Sequence, residues 1–252
     1  MHEAGYAALG LPYTYVPFEV GDLAGALAGM RALGIRGFGV SHPFKQAVMP
    51  LLDALHPVAE RIGAVNTIVN DGRGKLSGYN TDWVGAVRAL EEVRPLAGAR
   101  VLVAGAGGAA RAVAFGLRER GARTTIANRD RPKAEAVAAD AGARAAAFTE
   151  TERAADYDVV INATTIGQTG QGDGAVSPFP EHALREGQVV MDIVYKPVRT
   201  PLLASAARRR AIAIHGGRML LYQAAAQFEL YTGQGAPLDA MDQALRAAIG
   251  AP

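Results

Sequence analysis

The stretch Val101-Leu-Val-Ala-Gly-Ala-Gly-Gly-Ala-Ala-Arg111 decides the fold. It reads as an apolar strand that enters a glycine turn and leaves as a helix opening on small residues, the order a dinucleotide pyrophosphate site requires. Gly105 permits the tight turn, Gly107 keeps a Cβ out of the path of the phosphates, and Ala110 lets the helix lie close to the strand. The N–H groups opening that helix then face an anion. Glycines also mark ordinary strand-to-helix turns, so the pattern gains weight only from its continuation.

A helix read over 111–120 is followed by Gly121, a β-rich run over 123–127 and the segment Asn128-Arg-Asp-Arg-Pro-Lys133. In such folds this position meets the adenosine ribose, where an acidic residue reads as NAD and arginine as a 2′-phosphate. Arg129, Arg131 and Lys133 favour NADP, because a guanidinium grips a phosphate by two parallel hydrogen bonds. Asp130 pulls toward NAD, or on the plainer reading caps a helix that opens near Pro132.

With 252 residues, half of them hydrophobic, the chain can bury a full core in one large or two modest domains. It has no cysteine, which removes disulfides, thiolate metal sites and cysteine nucleophiles and fits a reducing, cytoplasmic setting. No metal is expected. The net charge is +2 and the basic residues are scattered, which argues against nucleic acid as a partner. The one basic run, Arg208-Arg-Arg210, suits the end of a helix over 202–207. No apolar stretch reaches the roughly 20 residues of a membrane span, and no signal peptide is read.

Strand-like and helix-like segments alternate, the pattern of parallel sheets covered by helices. The first part reads as a helix to about residue 9, a strand over 13–17, a helix over 20–33 and a strand over 37–41. Helices from Pro43 and over 57–61, strands over 66–70 and 76–79 and a long helix over 83–93 follow, with a hinge over 95–99. Later strands fall near 159–162 and 189–193, and helices over 219–231 and 238–249. The expected division is a substrate domain over 1–94, a Rossmann domain over 95–216 and C-terminal helices over 217–252 that return to the first domain.

Three clusters in the first part carry polar chemistry: Ser41-His-Pro-Phe-Lys45, Gly63-Ala-Val-Asn-Thr67 and Gly78-Tyr-Asn-Thr-Asp82. Lysine, asparagine and aspartate at strand ends form a pocket suited to a hydroxylated small molecule. A lysine beside a carboxylate can pass a proton to or from a carbinol oxygen while hydride moves to or from a nicotinamide. Taken alone, Lys45 also reads as a surface lysine opening a helix, and His42 as an incidental loop histidine.

These clusters, with Gly105 to Ala109, Asn128-Arg129, Ile161-Asn-Ala-Thr-Thr165, Asp192-Ile-Val-Tyr-Lys-Pro197, Thr200-Pro-Leu-Leu203 and Met219-Leu-Leu-Tyr-Gln223, closely resemble the shikimate dehydrogenase family. The resemblance runs in order along nearly the whole chain. Gly34-Ile-Arg-Gly37 and Phe228-Glu-Leu-Tyr-Thr232 look more like its shikimate dehydrogenase-like branch. It implies NADP-linked interconversion of shikimate and 3-dehydroshikimate, or of a close analogue such as quinate or aminoshikimate, with NAD as the other cofactor. The substrate class is a hydroxylated cyclohexene carboxylate, and the protein a monomer or homodimer.

By match to the family's motifs, Lys45 is the acid–base residue and Asp82 its partner. Ser41, Asn66, Tyr195 and Gln223 would hold substrate. Gly105, Ala106, Gly107, Gly108 and Ala109 would hold the pyrophosphate, and Asn128, Arg129 and Lys133 the adenosine end. Thr164, Ile193, Gly216 and Met219 would line the nicotinamide. Two departures stand out: Gly39 replaces the family's usual asparagine, and His42 replaces an aliphatic residue. The opening Met1-His-Glu-Ala-Gly-Tyr matches the family's first helix, without the preceding strand and serine segment that hold the substrate carboxylate. From this the expectation is retained NADP binding with a raised KM for shikimate, and the alternative is a non-catalytic dinucleotide- or metabolite-binding protein.

Overall fold

In the computed structural model, residues 1–170 and 176–250 are described; positions 171–175 and 251–252 of the expected domain ranges lie outside them. Two sheets organise the chain. The first part runs α1 (His2–Ala8), α2 (Leu23–Ala32), β1 (Gly37–Gly39), α3 (Phe44–Ala47), β2 (Ala54–Leu55), α4 (Pro57–Ile62), β3 (Thr67–Asn70), β4 (Leu76–Tyr79) and α5 (Asp82–Glu91). Its strands form a four-stranded sheet in the order β1-β3-β4-β2. Here β3 is antiparallel to both β1 and β4, while β2 is parallel to β4. Leu27, Met30, Val48, Ile68 and Leu76 close its core.

The second part runs β5 (Arg100–Ala104), α6 (Gly108–Glu119), β6 (Arg123–Asn128), α7 (Arg131–Ala141), β7 (Arg144–Ala147), β8 (Val159–Asn162), β9 (Val189–Asp192), α8 (Pro201–Arg208) and β10 (Ile212–His215), and closes with α9 (Gly216–Thr232) and α10 (Leu238–Ile249). Its six strands are all parallel, in the order β10-β9-β8-β5-β6-β7. Strand order reverses between β8 and β5, which places a crevice outside their carboxyl ends. Both faces are covered, so β5 is apolar throughout its interior. Val101 and Val103 pack with Ile126, Val159 and helices α5 to α7, while Leu102 and Ala104 pack with Val160, Val190 and Leu202 of α8.

Local chemistry explains the element ends. Asp130 accepts a hydrogen bond from Lys133 N (3.2 Å) as N-cap of α7, Pro132 sits in its first turn, and Gly142 ends it with φ +60°. Arg208 closes α8, as the basic run suggested. The expected α/β architecture stands, with one correction: no strand forms over 13–17. Tyr13 packs on Tyr6 of α1, Tyr15 stacks on His2 and Phe18 packs on Phe38, so the segment docks by its rings and joins no ladder. The helix expected from residue 20 starts at Leu23, behind the Asp22 cap. Strands β2, β7 and β10 were not expected. Among the described residues, no helix is long and apolar enough to cross a membrane.

Candidate active site

Lys45 and Asp82 come together although 37 residues separate them. Lys45 is the second residue of α3, and Asp82 opens α5, where the helix dipole favours a carboxylate. Lys45 Nζ donates to Asp82 Oδ2 at 2.6 Å, with side-chain exposures of 21% and 7%. A pair this sheltered needs further hydrogen bonds to offset its desolvation. Asn66 supplies one, its Nδ2 donating to Asp82 Oδ1 at 2.8 Å.

Asn66 is itself locked at the start of β3. Its Oδ1 accepts from Thr81 N (2.7 Å) and Thr67 Oγ1 (2.8 Å), and its Nδ2 also lies 3.3 Å from Gln223 Oε1 on α9. Asn80 holds the same turn, accepting from Asp82 N and donating to Ala64 O. Three chain segments thus fix the ion pair before any ligand arrives.

These side chains line a cavity of about 300 Å³. Ser41, Lys45, Asn66, Asp82, Tyr195 and Gln223 share it with Ala109, Ile193, Gly216 and Met219 from the parallel-sheet side. All six expected substrate residues and four of the expected cofactor residues therefore meet in one space. Lys45 also lies beside the glycine turn: a Cβ added at Gly108 would meet its Cδ at 3.6 Å. His42 does not line this cavity.

The turn itself suits a dinucleotide. Gly105 has φ +118°, and a Cβ there would stand 2.7 Å from Ala163 O, so only glycine fits. Gly107 is the N-cap of α6, without a side-chain cap, and a Cβ there would meet nothing within 4 Å. The first N–H groups of this twelve-residue helix are thus open toward an anion. Ala106 lies within the same turn.

Asn128 ends β6 and donates to Asp130 O at 3.0 Å. Arg129 is exposed beside it, whereas Lys133 pairs with Asp130 at 3.0 Å. Asp130 is thereby occupied at the start of α7, and the Lys133 hydrogen bond holds its carboxyl below the usual range. The plainer reading of this residue is the one observed.

At the carboxyl ends of β8 and β9 lies a buried polar relay. Asn162 Oδ1 accepts from Thr164 N and Oγ1, while Asn162 Nδ2 donates to Asp192 Oδ1 at 2.9 Å. Asp192 also accepts from Thr200 Oγ1 (2.7 Å) and Val194 N (3.0 Å). Burial pushes its carboxyl up to about 6, against the opposing effect of these hydrogen bonds. The relay sets the position of Thr164 and of the segment carrying Ile193.

Sequence reading missed Tyr15, Val40, Leu220 and Gln227 as lining residues, and treated Gly39 only as a departure. Gln227 had a signal, lying one helical turn beyond Gln223 on α9. Tyr15 had none.

A family model described as the shikimate dehydrogenase substrate binding domain matches residues 1–68. A second, shikimate / quinate 5-dehydrogenase, matches residues 88–195, and a third, the shikimate 5′-dehydrogenase C-terminal domain, matches residues 216–246. Shikimate dehydrogenase (NADP(+)) of Moorella thermoacetica is 48% identical over 271 residues, covering 100% of this chain and 88% of that protein. This chain belongs to the shikimate dehydrogenase family. Family members of known structure share the fold. Shikimate 5-dehydrogenase from Thermus thermophilus, in complex with NADP(H) and shikimate, superposes with a TM-score of 0.89 at 37% identity, covering 98% of this chain and 92% of that one. Quinate dehydrogenase from Corynebacterium glutamicum, in complex with NAD, gives 0.88 at 32%, with 98% and 92% covered.

Proposed function

We propose that this chain is an NADP-dependent oxidoreductase that interconverts shikimate and 3-dehydroshikimate. The observation that carries the reading is the Lys45–Asp82 pair at 2.6 Å, in one cavity with Ala109, Ile193, Gly216 and Met219 at the carboxyl ends of a parallel sheet. The name carried by the Moorella relative supports the cofactor and the substrate. Quinate is a second substrate to test, since the Corynebacterium relative is named for it.

In the reducing direction Lys45 gives a proton to the ketone oxygen, and in the oxidising direction it takes that proton back from the carbinol. Asp82 keeps the Lys45 amine aimed into the cavity. Asn66 and Gln223 hydrogen-bond ring hydroxyls, and Ser41 and Tyr195 complete the substrate wall. The open N–H groups of α6 and the turn from Gly105 to Ala109 hold the pyrophosphate; Asn128 and Arg129, with Lys133 behind them, hold the adenosine end. Thr164, Ile193, Gly216 and Met219 form the nicotinamide wall. When bound, the nicotinamide supplies hydride chemistry that no side chain here can perform. We assign residues 1–94 to substrate, 95–216 to cofactor and 217–252 to C-terminal helices packing on the substrate domain, in a cytoplasmic monomer or homodimer.

Lys45→Ala tests the reading in a coupled measurement of NADPH formation from shikimate. Loss of a general acid–base group lowers kcat about 10²–10⁴-fold and leaves the KM for NADP nearly unchanged. Retention of most of the wild-type kcat would exclude the role given to Lys45.

A further inference from the structure

Two glutamines one turn apart on α9 serve opposite ends of the Asn66 amide. Gln223 meets the NH₂ end directly, its Oε1 lying 3.3 Å from Asn66 Nδ2. Gln227 acts at one remove. Its Nε2 donates to Thr67 Oγ1 (3.0 Å) and to Asn66 O (3.2 Å), and Thr67 Oγ1 in turn donates to Asn66 Oδ1 (2.8 Å). Gln227, Thr67 and Asn66 are all buried, so these bonds are not exchanged for bulk water.

Backbone groups fix which way each amide points. Thr81 N can only donate, so the Asn66 atom 2.7 Å from it is the carbonyl oxygen. Asn66 O can only accept, so the Gln227 atom facing it is the nitrogen. Thr67 then stands between a donor and an acceptor. A hydroxyl has one proton, and with Gln227 donating to it, that proton goes to Asn66 Oδ1. The Asn66 NH₂ is left for Asp82 Oδ1 (2.8 Å) and Thr81 Oγ1 (2.9 Å), and the other oxygen of Asp82 for Lys45. Hydrogen-bond direction thus runs unbroken from α9 through β3 to the ion pair.

The residue type at 227 needs such a reason. It lies between Ala224-Ala-Ala226 and Phe228, at a buried position where an apolar side chain would spare the cost of desolvating an amide.

We propose that Gln227 is a positioning residue for the acid–base pair: by donating to Thr67 it commits that hydroxyl to Asn66, and Asn66, so held, steadies Asp82 against Lys45. The inference rests on the proposed shikimate reading, in which Lys45 moves the proton. Gln227 acts through Thr67 and Asn66, and not on the substrate.

Gln227→Met, Thr67→Val and Thr67→Ser test this, with kcat and KM measured for shikimate and for NADP. Gln227→Met keeps the length of the side chain and removes its donors, and Thr67→Val cuts the relay at the hydroxyl. Each lowers kcat about 3- to 10-fold, the loss of one neutral hydrogen bond, while the KM for NADP stays at the wild-type value and reports an intact fold. Thr67→Ser, which keeps the hydroxyl, returns kcat to within about twofold of wild type. In an Asn66→Ala background Gln227→Met adds no further loss, because the group it acts through is gone. A kcat for Gln227→Met within about twofold of wild type would overturn the proposal, as would Thr67→Ser as slow as Thr67→Val. The full Gln227→Met loss persisting on Asn66→Ala would also overturn it, by showing an action independent of Asn66. Should Gln227→Met fail to fold, the two Thr67 variants decide. A wild-type chain that turns over neither shikimate nor quinate would overturn the proposed function and the relay's role together, whereas an active wild type with unmoved variants would overturn the relay alone.

Discussion

Asp82→Asn keeps the shape of a buried side chain and removes its charge, so its effect can be worked from the contacts. The carboxylate meets Lys45 Nζ with one oxygen and Asn66 Nδ2 with the other, at 2.6 and 2.8 Å. An amide has one oxygen. If that oxygen stays with Asn66, an NH₂ group faces the Lys45 amine; if it turns to Lys45, two NH₂ groups face each other. Either way one contact is lost. A hydrogen bond to a charged group is worth about 1.5–3 kcal/mol. Lys45 keeps 21% of its side chain exposed, so water takes over part of that role and the lower half of the range applies. About 1.5–2 kcal/mol corresponds to a kcat roughly 10- to 30-fold below wild type. Stopped-flow or steady-state measurement of NADPH at saturating shikimate reads it directly. Combined with Lys45→Ala, the substitution adds no further loss, because Asp82 acts through the lysine. A kcat within about twofold of wild type for the single variant, or a fully additive double variant, would refute the arrangement of roles.

Other perturbations reach other parts of the molecule. Asp192, fully buried, has its carboxyl pushed up to about 6, above the range of an unfolded chain. The cost of ionising it is absent below that unfolded range and grows as pH rises toward 6, reaching about 3 kcal/mol for a shift of about two units. Asp192→Asn therefore gains stability over wild type between pH 4 and 7 in urea unfolding; a difference independent of pH would contradict this. Arg129→Ala weakens NADP about 10- to 100-fold and NAD far less, and equal losses would remove the arginine from 2′-phosphate recognition. Gly105→Ala forces φ +118° on a residue with a Cβ and drives it against Ala163 O, at a cost of about 1–3 kcal/mol. Calorimetry should find a lower Tm together with a raised KM for NADP, and a wild-type Tm would show that the turn relaxes.

The glycine turn after β5 was legible because the chemistry is local: a strand, a positive φ and a helix start leave their marks on consecutive residues. Asp130 was legible for the same reason, as a cap two residues ahead of Pro132. The strand expected over 13–17 does not form because a strand requires a neighbouring edge, and here rings dock where backbone pairing was expected. The Lys45–Asp82 pair lay between these cases. Its residue types were readable, but their proximity depends on α3 and α5 being brought together by the sheet, and only the family resemblance linked them. Tyr15 was beyond reach, since its place over Gly39 depends on stacking against α1.

Helix α9 begins at the wall we assign to the nicotinamide, with Gly216 and Met219, and continues past Gln223 to Gln227 beside β3. At 1.5 Å per residue, the eleven steps from Gly216 to Gln227 span about 16 Å. One rigid rod thus spaces the two reactants like a ruler. Chimeras that graft a foreign cofactor module onto this substrate pocket must carry the whole rod across the splice, and a junction cut inside it would spoil the alignment even if both halves folded correctly.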